Sequence, residues 1–126
     1  MPPLTPDELL FFADHAPALV LYEPLREALL SLSPDVAFRV QKTQITFTCP
    51  RVFACVSLAR VCPKAALPPV WLALTLGLPG PLDSPRVAVR TEPRPGRWTH
   101  HLLLTAAPDA ELLSWLRAAH DFARRK

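Results

Sequence analysis

Residues 36–59 read VAFRVQKTQITFTCPRVFACVSLA, and the periods within that stretch decide the fold. Val36, Phe38 and Val40 alternate with Ala37, Arg39 and Gln41, the two-residue repeat of a strand with one buried face. Lys42 falls next on the apolar side. Beyond it Ile45 and Phe47 carry that face, opposed by Gln44, Thr46 and Thr48, so odd positions point where even ones did. A turn or a bulge is therefore predicted near Lys42 and Thr43. Cys49, Pro50 and Arg51 make a short connection, and Val52 to Ala59 returns as a strand, with Phe53 and Cys55 facing one way and Val56 and Leu58 the other.

Downstream, Val61 to Pro69 reads as a proline-rich loop and Val70 to Leu78 as a strand apolar on both faces. Gly80 to Pro85 is rich in turn residues, Arg86 to Arg90 reads as a brief edge strand, and Glu92 to Gly96 as the next turn. Arg97 to Thr105, RWTHHLLLT, reads as the last strand. From Pro108 the period lengthens: Leu112, Trp115, Leu116, Ala119, Phe122 and Ala123 share one helical stripe, with Asp109 placed to cap it. Upstream, Thr5, Pro6, Asp7 and Glu8 spell a capping box with proline at the first helical position, opening a short helix to about His15. A second helix then runs to about Leu32 on Leu21, Leu25, Leu29 and Leu32, with a kink or restart predicted at Pro24. The order predicts an α+β fold: an antiparallel sheet of about four to five strands, with N-terminal helices and a C-terminal helix packed on one face.

At 126 residues the chain suits a single domain spanning 1–126, large enough to bury roughly two thirds of its unfolded surface. Half its residues are apolar and a fifth charged, a globular composition. The net charge of +3 hides a split, since residues 1–35 carry six acids and one base and residues 36–106 nine bases and two acids. Such a split can steer anionic partners, and it is also what complementarity between helices and sheet would write. Cys49, Cys55 and Cys62 cannot all pair within one chain, have no zinc spacing, and read as buried thiols in a reducing cytosol. No targeting segment is seen, and the longest charge-free run, Ala65 to Leu82, is too broken by proline and glycine to span a membrane. A cytoplasmic protein, monomeric or homodimeric, is expected.

Leu21, Tyr22 and Leu25 through Leu29, Lys42 and Thr43, Ile45 to Phe47, Phe53 and Ala54, Asp83 to Pro85, Trp98 to His100, and Trp115 with Leu116 together resemble the bacterial family known as domain of unknown function 5655. The resemblance covers Leu21 to Ala123. It implies an α+β domain, found alone or appended to larger proteins, some with nuclease-like or predicted transport regions, and it carries no agreed activity. The chain departs from the family pattern at Pro24 and in the prolines of Pro63 to Pro69.

Three groups could carry chemistry. Lys42, beside Thr43 and Gln44 at the phase break, offers a point charge next to hydrogen-bonding neighbours, suited to a phosphate or carboxylate. Arg97 and Arg51 extend that candidate anion site, with Trp98, His100 and His101 as further members. On a strand Trp98 and His100 share the core face and Arg97 and His101 the other. Arg39, Arg51, Arg60, Arg86, Arg90, Arg94 and Arg97 lie on or beside the sheet and would suit nucleic-acid phosphates, although aromatic interleaving is lacking. No nucleophile–base set, phosphate loop, cofactor motif or metal spacing is present. The expected role is a non-enzymatic domain that binds a partner protein or small anionic ligand through a basic sheet surface. Nucleic-acid binding is the alternative, and enzymatic activity the weakest of the three.

Overall fold

The computed structural model describes residues 3–59 and 67–125. Arg60, Cys62 and most of the predicted loop from Val61 lie outside the described residues. A short helix α1 (Pro6–Phe11) leads through a 3-10 turn (Ala13–His15) into α2 (Ala16–Leu30). Six strands follow: β1 (Ala37–Val40), β2 (Gln44–Thr48), β3 (Val52–Ser57), β4 (Leu72–Leu78), β5 (Val87–Arg94) and β6 (Arg97–Leu104). Helix α3 (Ala110–Arg124) closes the chain. The strands form one antiparallel sheet in the order β1-β2-β3-β4-β6-β5. The fold is α+β as predicted, with one strand more than the upper expectation. The brief edge strand expected over Arg86 to Arg90 is present as β5 and is longer than expected, running to Arg94 through Glu92 and Pro93, exposed residues that read as turn rather than sheet.

The phase break at Lys42 is a hairpin turn. Val40 pairs with Ile45, and the Gln41 N–H donates to the Gln44 carbonyl at 2.8 Å, leaving Lys42 and Thr43 at the tip. The bulge lies elsewhere, between Phe47 and Thr48, where β3 carries one residue more than β2. It corrects the facing predicted for β3. Phe53 joins Ala54 and Val56 on the covered side, 2% exposed and edge-on to the His120 ring of α3 at 5.6 Å. Cys55 stays on the open side. The β5–β6 turn is also tighter than predicted, reduced to Pro95 and Gly96, and Gly96 has φ 75°, a left-handed conformation that favours glycine.

Cross-strand rows build the core. Ile45, Val56, Leu74 and Leu102 stand side by side, as do Phe47, Ala54, Leu76 and His100. Leu25 and Leu29 of α2 and Leu112 and Leu116 of α3 join the same buried cluster. Each fully buried leucine contributes roughly 1.5–3 kcal/mol. The opposite face presents Gln44, Cys55, Ser57, Thr75 and His101, all half-exposed. Asp109 caps α3 as predicted, accepting from the Leu112 N–H at 2.9 Å. Three contacts tie α3 to the segment after α2: Arg117 to the Leu32 carbonyl at 3.0 Å, His120 to Ser33 at 3.2 Å, and Arg124 to Asp35 at 3.7 Å. No helix among the described residues is long and apolar enough to cross a membrane.

Helix α2 runs unbroken through Pro24, so the chain does not restart there. The carbonyl deprived of a donor belongs to Val20, whose side chain is 73% exposed, so solvent can serve it. Nothing repairs the lost propensity. Pro24→Ala is expected to raise the unfolding free energy by about 1–3 kcal/mol, read as a higher urea midpoint at unchanged slope.

Glu8 closes the capping box, its carboxylate accepting from the Thr5 N–H at 2.9 Å while the Glu8 N–H donates to the Thr5 hydroxyl at 3.2 Å. The same carboxylate is fully buried against α2, where it accepts from the Tyr22 hydroxyl and from Arg26 Nε at 2.7 Å. Arg26 is 3% exposed, reaches the Pro3 carbonyl at 3.1 Å and lies over the Phe38 ring. Burial pushes the Glu8 carboxyl up, but the bonds from Arg26, Tyr22 and Thr5 outweigh it and hold the group below its ordinary range. Burial, then the Glu8 charge, drive the Tyr22 hydroxyl far up, so it stays a donor.

Candidate functional site

β3 and β4 are paired only from Ala54↔Leu76 to Ser57↔Ala73. Past Ala54 the bulge diverts β3, whereas β4 continues through Gly77 and Leu78, paired with Thr99 and Trp98 of β6. Where the two strands part, a recess of about 270 Å³ opens. Val52, Gly77, Trp98 and Thr99 line it from the sheet, Pro93 from β5, and Phe122 and Ala123 from the C-terminal turn of α3. Its charged groups are Arg51, Arg94 and Arg97.

The chain brings these arginines together by simple means. Arg51 stands in the β2–β3 connection beside the bulge, and Arg94 faces Arg97 across the β5–β6 ladder on either side of the Pro95–Gly96 turn. All three are exposed, and among the described residues none has a side-chain hydrogen bond or an acidic partner. The Glu92 carboxylate of the same hairpin accepts from the Gly96 N–H at 3.1 Å and pairs with none of the three, so the like charges repel one another and an anion between them relieves that cost. Val52 adds an apolar side chain 57% exposed. The recess is thus lined by three cationic side chains together with apolar and aromatic ones.

Other basic groups are committed elsewhere. Arg86 donates to both oxygens of Asp109 at 2.9 Å and to Glu111 at 3.0 Å, lies over the Trp115 ring, and so braces β5 against the start of α3. Those carboxylates push its pKa up further. Arg90 donates to the Leu82 carbonyl at 2.6 Å. The acidic leading segment does not neutralise the sheet through these contacts: among the described residues its ion pairs are Glu8 with Arg26 and Asp35 with Arg124 of α3.

The residues predicted as one anion site fall in three places. Arg51, Arg97 and Trp98 share the recess. Thr43 and Gln44 line a shallow cavity of about 380 Å³ on the open sheet face, with Ser57, Thr75 and His101. Lys42 lines another of about 340 Å³ against α1, where Asp7 supplies a negative charge and Leu10 and Phe11 apolar surface. The β1–β2 tip lies at the Leu72–Leu104 end of the sheet and the recess at the Leu78–Trp98 end, so Lys42 and Arg97 cannot grip one small anion. Val52, Gly77, Pro93, Thr99, Phe122 and Ala123 are the members of the recess that residue patterns did not single out as a site, and Arg94 was named only among the arginines beside the sheet. Arg94 and Gly77 carried a signal, the one beside a turn opposite Arg97, the other a glycine interrupting a strand.

The histidines and thiols do other work. His100 is fully buried in the core, Nε2 accepting from the Leu82 N–H at 2.9 Å while Nδ1 has no partner among the described residues. Burial, with the charges of Arg90 and His101, holds its pKa down. His101 is half-buried and bonded to Thr75 at 2.9 Å. Cys49 is buried, and burial pushes the half-buried Cys55 thiol up, away from the reactive thiolate. Among the described residues no three His, Cys, Asp or Glu side chains are placed to hold a metal ion.

The family described as Domain of unknown function (DUF5655) matches residues 10–123 of the chain. No curated protein and no solved structure matches it.

Proposed function

The chain belongs to the DUF5655 family, and from that premise we propose that it is a binding domain whose recess between β3, β4 and α3 holds a small anionic ligand. The three guanidiniums of Arg51, Arg94 and Arg97, gathered at one recess beside apolar side chains and with no acidic partner, carry this reading. Arginine suits the role because its planar fork meets carboxylate or phosphate oxygens two at a time. The rival reading, nucleic acid laid along a basic sheet, has weaker support. Arg86 and Arg90 are consumed within the chain, so the basic stripe is interrupted.

Gly77 provides the test. A Cβ at this position would meet no atom within 4 Å, and the residue lies within a strand, where valine is the better former. Gly77→Val adds bulk to the wall of the recess, at a position whose Cβ has open space around it. Calorimetric titration with inorganic pyrophosphate at low salt is expected to show binding to the wild-type chain and a loss of at least tenfold in affinity in the variant, with the unfolding midpoint unchanged or raised. Equal affinity in the two would refute the recess as the site.

A further inference from the structure

Resting on the anion reading just given, we propose that the ligand is a nucleoside phosphate, its phosphate held by Arg51, Arg94 and Arg97 and its base laid against Trp98. A bare inorganic anion would use only the three arginines. It would leave the Val52 side chain, 57% exposed, and the half-buried Trp98 ring without contact to the ligand. A flat heteroaromatic group joined to the anion uses both kinds of side chain, because an indole offers a stacking face to any base and a guanidinium stacks on base planes as well. Thr99, whose hydroxyl has no partner among the described residues, adds a hydrogen-bonding group to the lining. The volume of about 270 Å³ sets the size. It lies just below the range of small-molecule sites, which run from roughly 300 to 1,000 Å³, and so limits the ligand to one nucleotide rather than two.

The same chemistry is offered by a free mononucleotide and by the phosphorylated 5′ end of a strand. Titration of the full chain with inorganic phosphate, ribose 5-phosphate, adenosine monophosphate and a 5′-phosphorylated tetranucleotide separates the cases. Adenosine monophosphate is expected to bind about tenfold tighter than ribose 5-phosphate, since the stacked base is the difference between them. Trp98→Leu should close that gap and Trp98→Phe retain most of it. A tetranucleotide weaker than the mononucleotide identifies the free nucleotide as the source, a tighter one the strand end, and both support the assignment. Equal binding of ribose 5-phosphate and adenosine monophosphate by the wild-type chain would overturn it and leave the anion site standing. Failure of all four to bind would remove both. The wild-type comparison does not depend on how well any variant folds.

Discussion

Glu8→Ala lowers the free energy of unfolding by about 3–5 kcal/mol, a large part of the roughly 5–15 kcal/mol that holds a domain folded. Two effects contribute and one dominates. Losing the reciprocal half of the capping box, the bond from the Thr5 N–H, costs about 1 kcal/mol, while the Thr5 hydroxyl still caps the helix. The larger part comes from Arg26, which keeps its charge in a site 3% exposed when the carboxylate that offsets it is gone. Tyr22→Phe, which removes one hydrogen bond to a charged group and leaves the ion pair, should cost about 1.5–3 kcal/mol. Urea titrations of the three proteins give the ranking directly. Equal losses for Glu8→Ala and Tyr22→Phe would show that the ion pair adds little beyond the hydroxyl bond.

The same network fixes the sign of the acid response. A carboxylate held below its ordinary value contributes stability that is complete above the unfolded pKa and is lost as pH falls through the folded one. His100 acts in the same direction from a higher starting point. Its buried imidazole stays neutral when the unfolded chain's histidine, with an ordinary value near 6.5, takes a proton. Stability therefore declines first below about pH 6.5 and more steeply below about pH 4.5.

Arg94→Ala combined with Arg97→Ala reduces anion affinity by about a hundredfold or more. A hydrogen bond to a charged partner is worth about 1.5–3 kcal/mol, or roughly ten- to a hundredfold per arginine. The exposure of both side chains places each at the low end, and the two are close enough to couple. Because the arginines have no partners to lose, the thermal midpoint should hold or rise as their mutual repulsion disappears. Lys42→Ala, at the far end of the sheet beside Asp7, should leave affinity unchanged. The reverse pattern, with Lys42 essential and the arginine pair dispensable, would return the anion site to the hairpin tip.

Local patterns in the sequence were informative wherever a local force decides the structure. Strand alternation, the capping box at Thr5 and Glu8, and the Asp109 cap are set by neighbours within four residues, and all are present. Glu8 shows where such reading ends. As text it is an acid in a first turn, facing water; its partners Tyr22 and Arg26 lie 14 and 18 residues on, reached only because the Ala13–His15 turn folds α1 back along α2. The trace left in the sequence was Arg26, a charge amid the buried stripe of Leu21, Leu25 and Leu29. The recess was half legible for a similar reason. Arg51 and Arg97 stood out as bases beside strands, but their meeting depends on β6 lying next to β4 and on β3 turning away at its bulge. Grouping Lys42 with them assumed a bulge that re-aims a side chain, and a hairpin turn satisfies the same change of phase.

An amide NMR titration of the full chain with inorganic pyrophosphate tests the binding recess most directly. Saturable shifts are expected at Val52, Gly77, Thr99 and Phe122, around the arginines where β3 and β4 part, with Lys42 to Gln44 still. Shifts confined to the Lys42 hairpin, or absent at every concentration, would contradict a ligand site in the recess.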